Sequence, residues 1–312
     1  YAGRMPLIVG GASASAIGLV LFAFLLADNL RRARGLVIVA AYGWTALGAL
    51  LGAVALGLAL SLDFARGFLP DHLALARAHM ILGAYGFMGL LALGFSHILV
   101  PMFALSSAPD RIPATVGFAT AATAVATGVL GALLDRPALL TTAALIGLAA
   151  AAIHISLMRR VLKTGMRKRQ GLSFVLVRGA WAALVLSLLL GLGTIRELVG
   201  PGGPALCGLL LLGGWLLTFL LAVLQRILPF LASMHATGGR AGAPARLSEL
   251  GTTLPLKMHA VCHTLALPGL ATAVLLNSPG IVRVASVVGL AGAIAFAVFA
   301  GDVLWRVLAP RS

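Results

Sequence analysis

Long apolar runs, each broken by proline, glycine or charge, fill this chain and dictate its solvent. A helix needs about 20 mainly apolar residues to cross a hydrocarbon core of roughly 30 Å. By that measure the sequence predicts nine transmembrane helices, over residues 7–30, 36–62, 73–104, 114–134, 138–158, 172–195, 205–231, 256–276 and 281–308. Backbone polar groups in lipid must be satisfied within the segment, so such spans are helical throughout. The expected fold is therefore all-α, a polytopic membrane helical bundle forming a single transmembrane domain over residues 1–312. Charged residues make up only 10% of the chain and apolar ones 61%, whereas a soluble domain carries about a quarter charged residues. The net charge of +15 would suggest a nucleic-acid partner in a soluble protein. Here there is too little polar surface to present such a patch. A lipid bilayer, and no nucleic acid, is the expected partner. The first span lacks a small-residue cleavage site and reads as a mature helix. Cys207 and Cys262 both sit inside apolar runs, so no disulfide framework is implied.

Orientation follows from lysine and arginine, which crowd cytoplasmic loops. Arg31, Arg32 and Arg34 follow the first span, and Arg159, Arg160, Lys163, Arg167, Lys168 and Arg169 follow the fifth. Arg240, Arg246 and Lys257 follow the seventh, Arg306 and Arg311 close the chain, and Arg111 falls on the same side. The opposite loops hold Arg4, Arg66, Arg136 and Arg196. The N-terminus is expected outside and the C-terminus inside a bacterial inner membrane, and the positive charge marks the cytoplasmic face. No internal repeat of the transporter kind is evident. The 38 glycines suit close helix contacts.

Ionisable residues inside a bilayer are functional candidates by default, and here histidine dominates them. His79 and His97 are 18 residues apart, five whole turns at 100° per residue, which predicts one shared face of the third helix. Gly83, Gly86, Leu90, Gly94 and Pro101 fall within about 60° of that face. A stripe of missing side chains with an imidazole at each end is what a flat macrocycle needs. It is also what a close helix–helix contact needs, with the histidines bonded to neighbouring carbonyls. On the eighth helix Met258, His259, Cys262 and His263 occupy less than half the circumference, and these soft and borderline donors suit haem iron or copper. His154 lies on the fifth helix and His235 just past the seventh. The expected topology places His97, His154, His235 and His259 at the cytoplasmic level, with His79 further out and His263 one turn deeper than His259. Asp302 and Arg306 are spaced i, i+4 and should pair. Arg178 is within snorkelling reach of the inner surface. Arg77, Arg196 and Arg283 lie at the outer level, as haem propionate partners or as ordinary helix-end anchors.

The block AHMILGAYGFMGLLALGFSHILVP, residues 78–101, resembles the second helix of haem–copper oxidase subunit I, where a histidine ligates low-spin haem and the helix leads into Leu-Val-Pro. The following loop, SSAPDRIP, is similar to that family's Ala-Pro-Asp loop, with Asp110 in the matching position. The spacing of His79, Gly86, Phe87, Gly94 and Pro101 also resembles the block of NnrS-type haem- and copper-containing membrane proteins, and QRILPFLASMH at 225–235 looks like a segment of short oxidase-like proteins. The resemblance is strongest over residues 78–113. It implies haem b ligated by His79, with His263 as partner, Gly83, Gly86 and Arg77 against the macrocycle, and a second haem or copper held among His97, His154, His235 and His259. The family's His-Pro-Glu-Val-Tyr-like motif and its His-His pair are missing, and the sixth helix has no histidine. A catalytic binuclear centre is therefore not expected. The function implied is electron transfer, or nitric oxide or oxygen chemistry, with a quinol or another redox partner. A non-enzymatic copper or haem carrier or assembly factor is the alternative suggested by Met80, Met234 and Met258 beside histidines. An ion-coupled transporter is a third.

Overall fold

The computed structural model describes residues 5–166, 171–237 and 253–308, and every regular element among them is helical. The helices are α1 (Met5–Arg32), α2 (Val37–Arg66), α3 (His72–Ala104), α4 (Arg111–Leu133), α5 (Pro137–Thr164), α6 (Gly171–Ile195), α7 (Gly203–Gly208 continuing through Thr218–Thr237), α8 (Thr253–Leu275) and α9 (Pro279–Leu308). Among the described residues all nine expected spans are present, each long and apolar enough to cross a membrane. Several run past the apolar boundary that defines them in sequence. Helix α5 carries Arg159, Arg160 and Lys163 in its final turns, since helical hydrogen bonding continues where the stems of long cations can lie along the helix and place their charge beyond it.

Two spans change winding part-way. Residues Ile81–Gly89 of α3 and Leu209–Leu217 of α7 are π-helical. Bonds from i to i+5 turn the chain by less per residue than an α-helix does, so a uniform 100° step from His79 to His97 does not hold. Both histidines nevertheless meet α2. His79 lies against Ala53 and Gly57, and the ring of His97 lies against Tyr42. Between them, a Cβ on Gly86 would stand 2.8 Å from that of Ala49, and one on Gly94 would stand 2.6 Å from that of Tyr42. The glycine stripe is thus filled by an antiparallel neighbouring helix. Gly83, the exception, has nothing within 4 Å of where its Cβ would be.

The chain divides into two compact units, one of Tyr1–Lys168 with Leu188–Gly200, the other of Arg169–Ser187 with Pro201–Ser312. Their internal details correspond, which the sequence alone does not suggest. The π-helical segments begin at 81 and 209, an offset of 128 residues, and at that same offset Gly86 matches Gly214 and Pro101 matches Pro229. Gly214 closes on Ala183 of α6 at 2.9 Å, as Gly86 closes on Ala49 of α2. In the second half of each unit the offset becomes 142. Asp135 and Asn277, between paired helices, both adopt left-handed backbone, φ 45° and 46°. Asp and Asn tolerate this region better than most residues with a Cβ. The same bonds close both turns: Arg136 N to Gly131 O at 2.9 Å, and Ser278 N to Ala273 O at 3.0 Å. Pro137 and Pro279 then open α5 and α9. Gly147 faces Ala124, and Gly289 faces Ala266. Helices α2–α5 and α6–α9 are therefore two copies of one four-helix pattern, with α1 additional. The repeat is invisible to a sequence comparison because what persists is small residues and prolines at contacts, set in interchangeable apolar filler.

The α2–α3 seam makes a direct prediction. Gly94→Leu should lower thermal stability in detergent by about 1–3 kcal/mol through overpacking against Tyr42. Gly83→Ala should leave the melting temperature close to that of wild type.

Candidate histidine centres

In the first unit His79 and His97 of α3 are oriented by backbone carbonyls. His79, two residues before the π-helical segment, has Nδ1 2.9 Å from the carbonyl oxygen of Ala53 on α2. A carbonyl only accepts, so Nδ1 carries the proton and Nε2 keeps its lone pair. His97 is oriented the same way, donating Nδ1–H to Leu93 O at 2.9 Å. Its Nε2 is buried without a hydrogen-bond partner among the described residues. The His97 ring lies 5.7 Å from that of His154 on α5, at 63°, and 5.6 Å from Tyr42 on α2. Both histidines are buried, 7% and 2% exposed. His97 and His154, expected only at a common level, are in ring contact, whereas His79, also on α3, lies against Ala53 of α2.

In the second unit the Met258–His263 cluster is dispersed around α8. Met258 is exposed, and Cys262 faces α9, with its Cβ 2.9 Å from where that of Gly292 would be. His259 is buried, donates Nδ1–H to Gly292 O at 3.1 Å, and rests against Phe296 at 5.0 Å. Its Nε2 is also buried without a partner among the described residues. His263 stacks on His259 at 5.6 Å and 28°, yet uses its ring differently. Its Nε2 is 2.6 Å from Thr218 Oγ1, which donates its own proton to Gly213 O at 2.8 Å. Nε2 of His263 is therefore the donor, and the atom that remains open on this ring is Nδ1. Thr218 follows the π-helical segment of α7 directly, and the segment's wide turn is what delivers Gly213 O to it. His235 lies on α7, and its side chain is outside the described residues.

Among the described residues, no three of His, Cys, Asp and Glu converge as a complete protein ligand set would. What the fold offers is imidazoles presented singly or in pairs. Cys207 and Cys262 are free thiols. Arg77, expected beside a macrocycle, pairs with Asp135 at 2.8 Å. The Asp302–Arg306 pair forms as expected, at 2.9 Å. Arg178, Arg196 and Arg283 are exposed, and Asp110 is the N-cap of α4. Two polar contacts and one buried amide went unread in the sequence. Asp63 Oδ2 meets His72 Nδ1 at 2.7 Å. Arg226 donates to Ser173 Oγ at 2.6 Å, its guanidinium 4.9 Å above Phe174. Gln225 is buried, and its Nε2 has no partner among the described residues. A charge at a span end, or a polar residue in a long apolar run, was the available signal for each.

No protein-family model and no curated protein matches this chain.

The His263 bond is testable. Thr218→Val leaves its Nε2–H without an acceptor and should destabilise the protein by about 1 kcal/mol, the scale of hydrogen bonds within membrane bundles. Thermal melts in detergent would register the loss, and Thr218→Ser should restore most of it.

Proposed function

We propose that this protein binds haem b in a bacterial inner membrane and serves electron transfer or nitric oxide or oxygen chemistry, as its resemblance to haem–copper oxidases and NnrS-type proteins implies. The observation that carries the reading is the presentation of His79. Its Nδ1–H is committed to the Ala53 carbonyl at 2.9 Å, and one turn further on Gly83 leaves open space. A second hydrogen bond of this kind is how proteins fix the tautomer and orientation of metal-ligating histidines. The fit differs from the one expected. Gly86 and Gly94 are covered by α2, so a macrocycle on His79 would lie over Gly83. In the second unit His259 offers Nε2 in the same manner, whereas His263 would have to ligate through Nδ1. Bound haem supplies a one-electron couple at iron, tuned by its axial ligands and its burial. The residues orient imidazole, exclude water and set polarity. The expected donor is a quinol or a redox protein.

The crowded basic loops further support an N-terminus outside and a C-terminus inside. A cysteine introduced at Arg136 should react with an impermeant thiol reagent added to intact cells, and one at Asp110 should react only after permeabilisation.

Purified protein should show a Soret band that shifts on reduction, and His79→Ala should abolish it. A protein that remains colourless after reconstitution with haem would end this reading.

A further inference from the structure

We propose that Asp63 and His72 form a proton-binding clasp that ties α2 to α3 more tightly in acid, so that the pH on their side of the membrane sets how firmly this end of the first unit is closed. The proposal is independent of the haem reading, and the orientation proposed above serves only to put the clasp on the outer face. It starts from a buried carboxylate at a helix end. The side chain of Asp63 is 9% exposed, and both of its oxygens are engaged. Oδ1 accepts the backbone N–H of Leu69 at 2.7 Å, and Oδ2 meets His72 Nδ1 at 2.7 Å. Gly67, at φ 62°, reverses the chain and donates its N–H to Asp63 O at 2.7 Å, a left-handed position that suits glycine. The whole α2–α3 connection is thus wrapped around one acidic residue.

An ionised carboxylate only accepts, so Nδ1 of His72 carries a proton and Nε2 keeps its lone pair. The His72 side chain is 35% exposed, and its ring is reachable from outside the fold. A proton from the aqueous phase adds at Nε2 and breaks no bond. It turns a neutral donor into a cation held against a buried anion, which adds the attraction of an ion pair to the hydrogen bond already made. Imidazole is the side chain whose charge ordinarily changes between about pH 5 and 8. The clasp therefore tightens as pH falls through that range, and relaxes to its neutral hydrogen bond as pH rises.

The charges of the surrounding elements are held elsewhere. Asp71 accepts from Ala74 N at 2.9 Å as the N-cap of α3, and Arg77 pairs with Asp135 of the α4–α5 turn at 2.8 Å. Arg66 at the end of α2 and Arg136 after that turn are exposed. Helix α4 has no charged residue beyond Arg111, and Asp28, Arg31 and Arg32 of α1 lie at its opposite end. On the remaining side Phe64 stands edge-on to the His72 ring, with centroids 4.6 Å apart. The second four-helix pattern supplies an internal comparison. At the offset of 128 residues that relates α3 to α7, His72 corresponds to Gly200, and the α6–α7 connection contains no histidine.

The test is a set of thermal melts in detergent at about pH 6 and about pH 8. His72→Asn keeps a neutral N–H at the place of Nδ1 but takes no proton. Wild type should exceed His72→Asn in melting temperature by about 2 °C more at the lower pH than at the higher, and this pH-dependent excess should vanish when both are compared in an Asp63→Asn background. A difference that is the same at both pH values overturns the proposal, as does a pH-dependent difference that survives Asp63→Asn. Should these variants fail to fold, spin labels decide. In a chain whose Cys207 and Cys262 are replaced by alanine, nitroxides are attached through Phe68→Cys or Leu198→Cys, both exposed positions. The label at 68 should be more mobile at the higher pH while the label at 198 is unchanged. Equal mobility at 68 at both pH values, or the same change at 198, overturns the proposal. Both readouts are made without haem, so a colourless protein leaves the result standing.

Discussion

Hydrogen bonding without water governs this molecule. In hydrocarbon an unmatched polar group finds no solvent to accept it, so the backbone is helical and side-chain polar groups turn inward to carbonyls. Hydroxyls of Thr45, Ser61, Ser96, Thr120, Thr142 and Thr194 all bond back to the carbonyl four residues earlier. The imidazoles of His79, His97 and His259 obey the same rule with Nδ1. What looks like a chemical feature, a set of rings each with one nitrogen turned outward from its anchor, originates in this requirement. A histidine has two ring nitrogens, and a single carbonyl satisfies only one. The second is left for whatever the surroundings supply.

The nine spans were legible because hydropathy acts additively over twenty residues, and the Asp302–Arg306 pair because helical spacing is local. The glycine stripe from His79 to His97 was legible as a close-contact face, but not what covers it. Small residues admit a neighbouring helix or a flat ligand equally, and only the position of Ala49 and Tyr42 on α2 distinguishes the two. The dispersal of Met258, His259, Cys262 and His263 was hidden for a related reason. Angles on one helix say nothing of where its neighbours stand, and here α9 takes His259 and Cys262 while α7 takes His263. The π-helical winding was hidden too, since apolar filler carries no mark of i to i+5 bonding.

The two four-helix patterns share contacts and turns while differing in their polar residues. Prolines, close glycines and the left-handed Asp135 and Asn277 persist because each meets a backbone demand. Histidines do not correspond: Gly117 stands where the second pattern has His259, and Phe296 where the first has His154. The scaffold is therefore common and the chemistry individual. A shared helix framework has been furnished with ring nitrogens at different heights and on different helices, so the two units need not perform the same task.

The π-helical segments bear on how such a scaffold can change. A nine-residue stretch wound more slowly acts as a phase adjuster inserted in a rod, setting the angular position of everything beyond it. In α7 it ends just before Thr218 and aims that hydroxyl at His263; in α3 it lies between His79 and His97. Gaining or losing one residue within such a stretch would rotate one end of the span against the other while leaving both ends composed of the same residues. The polar groups of these helices can thus be re-aimed by length alone.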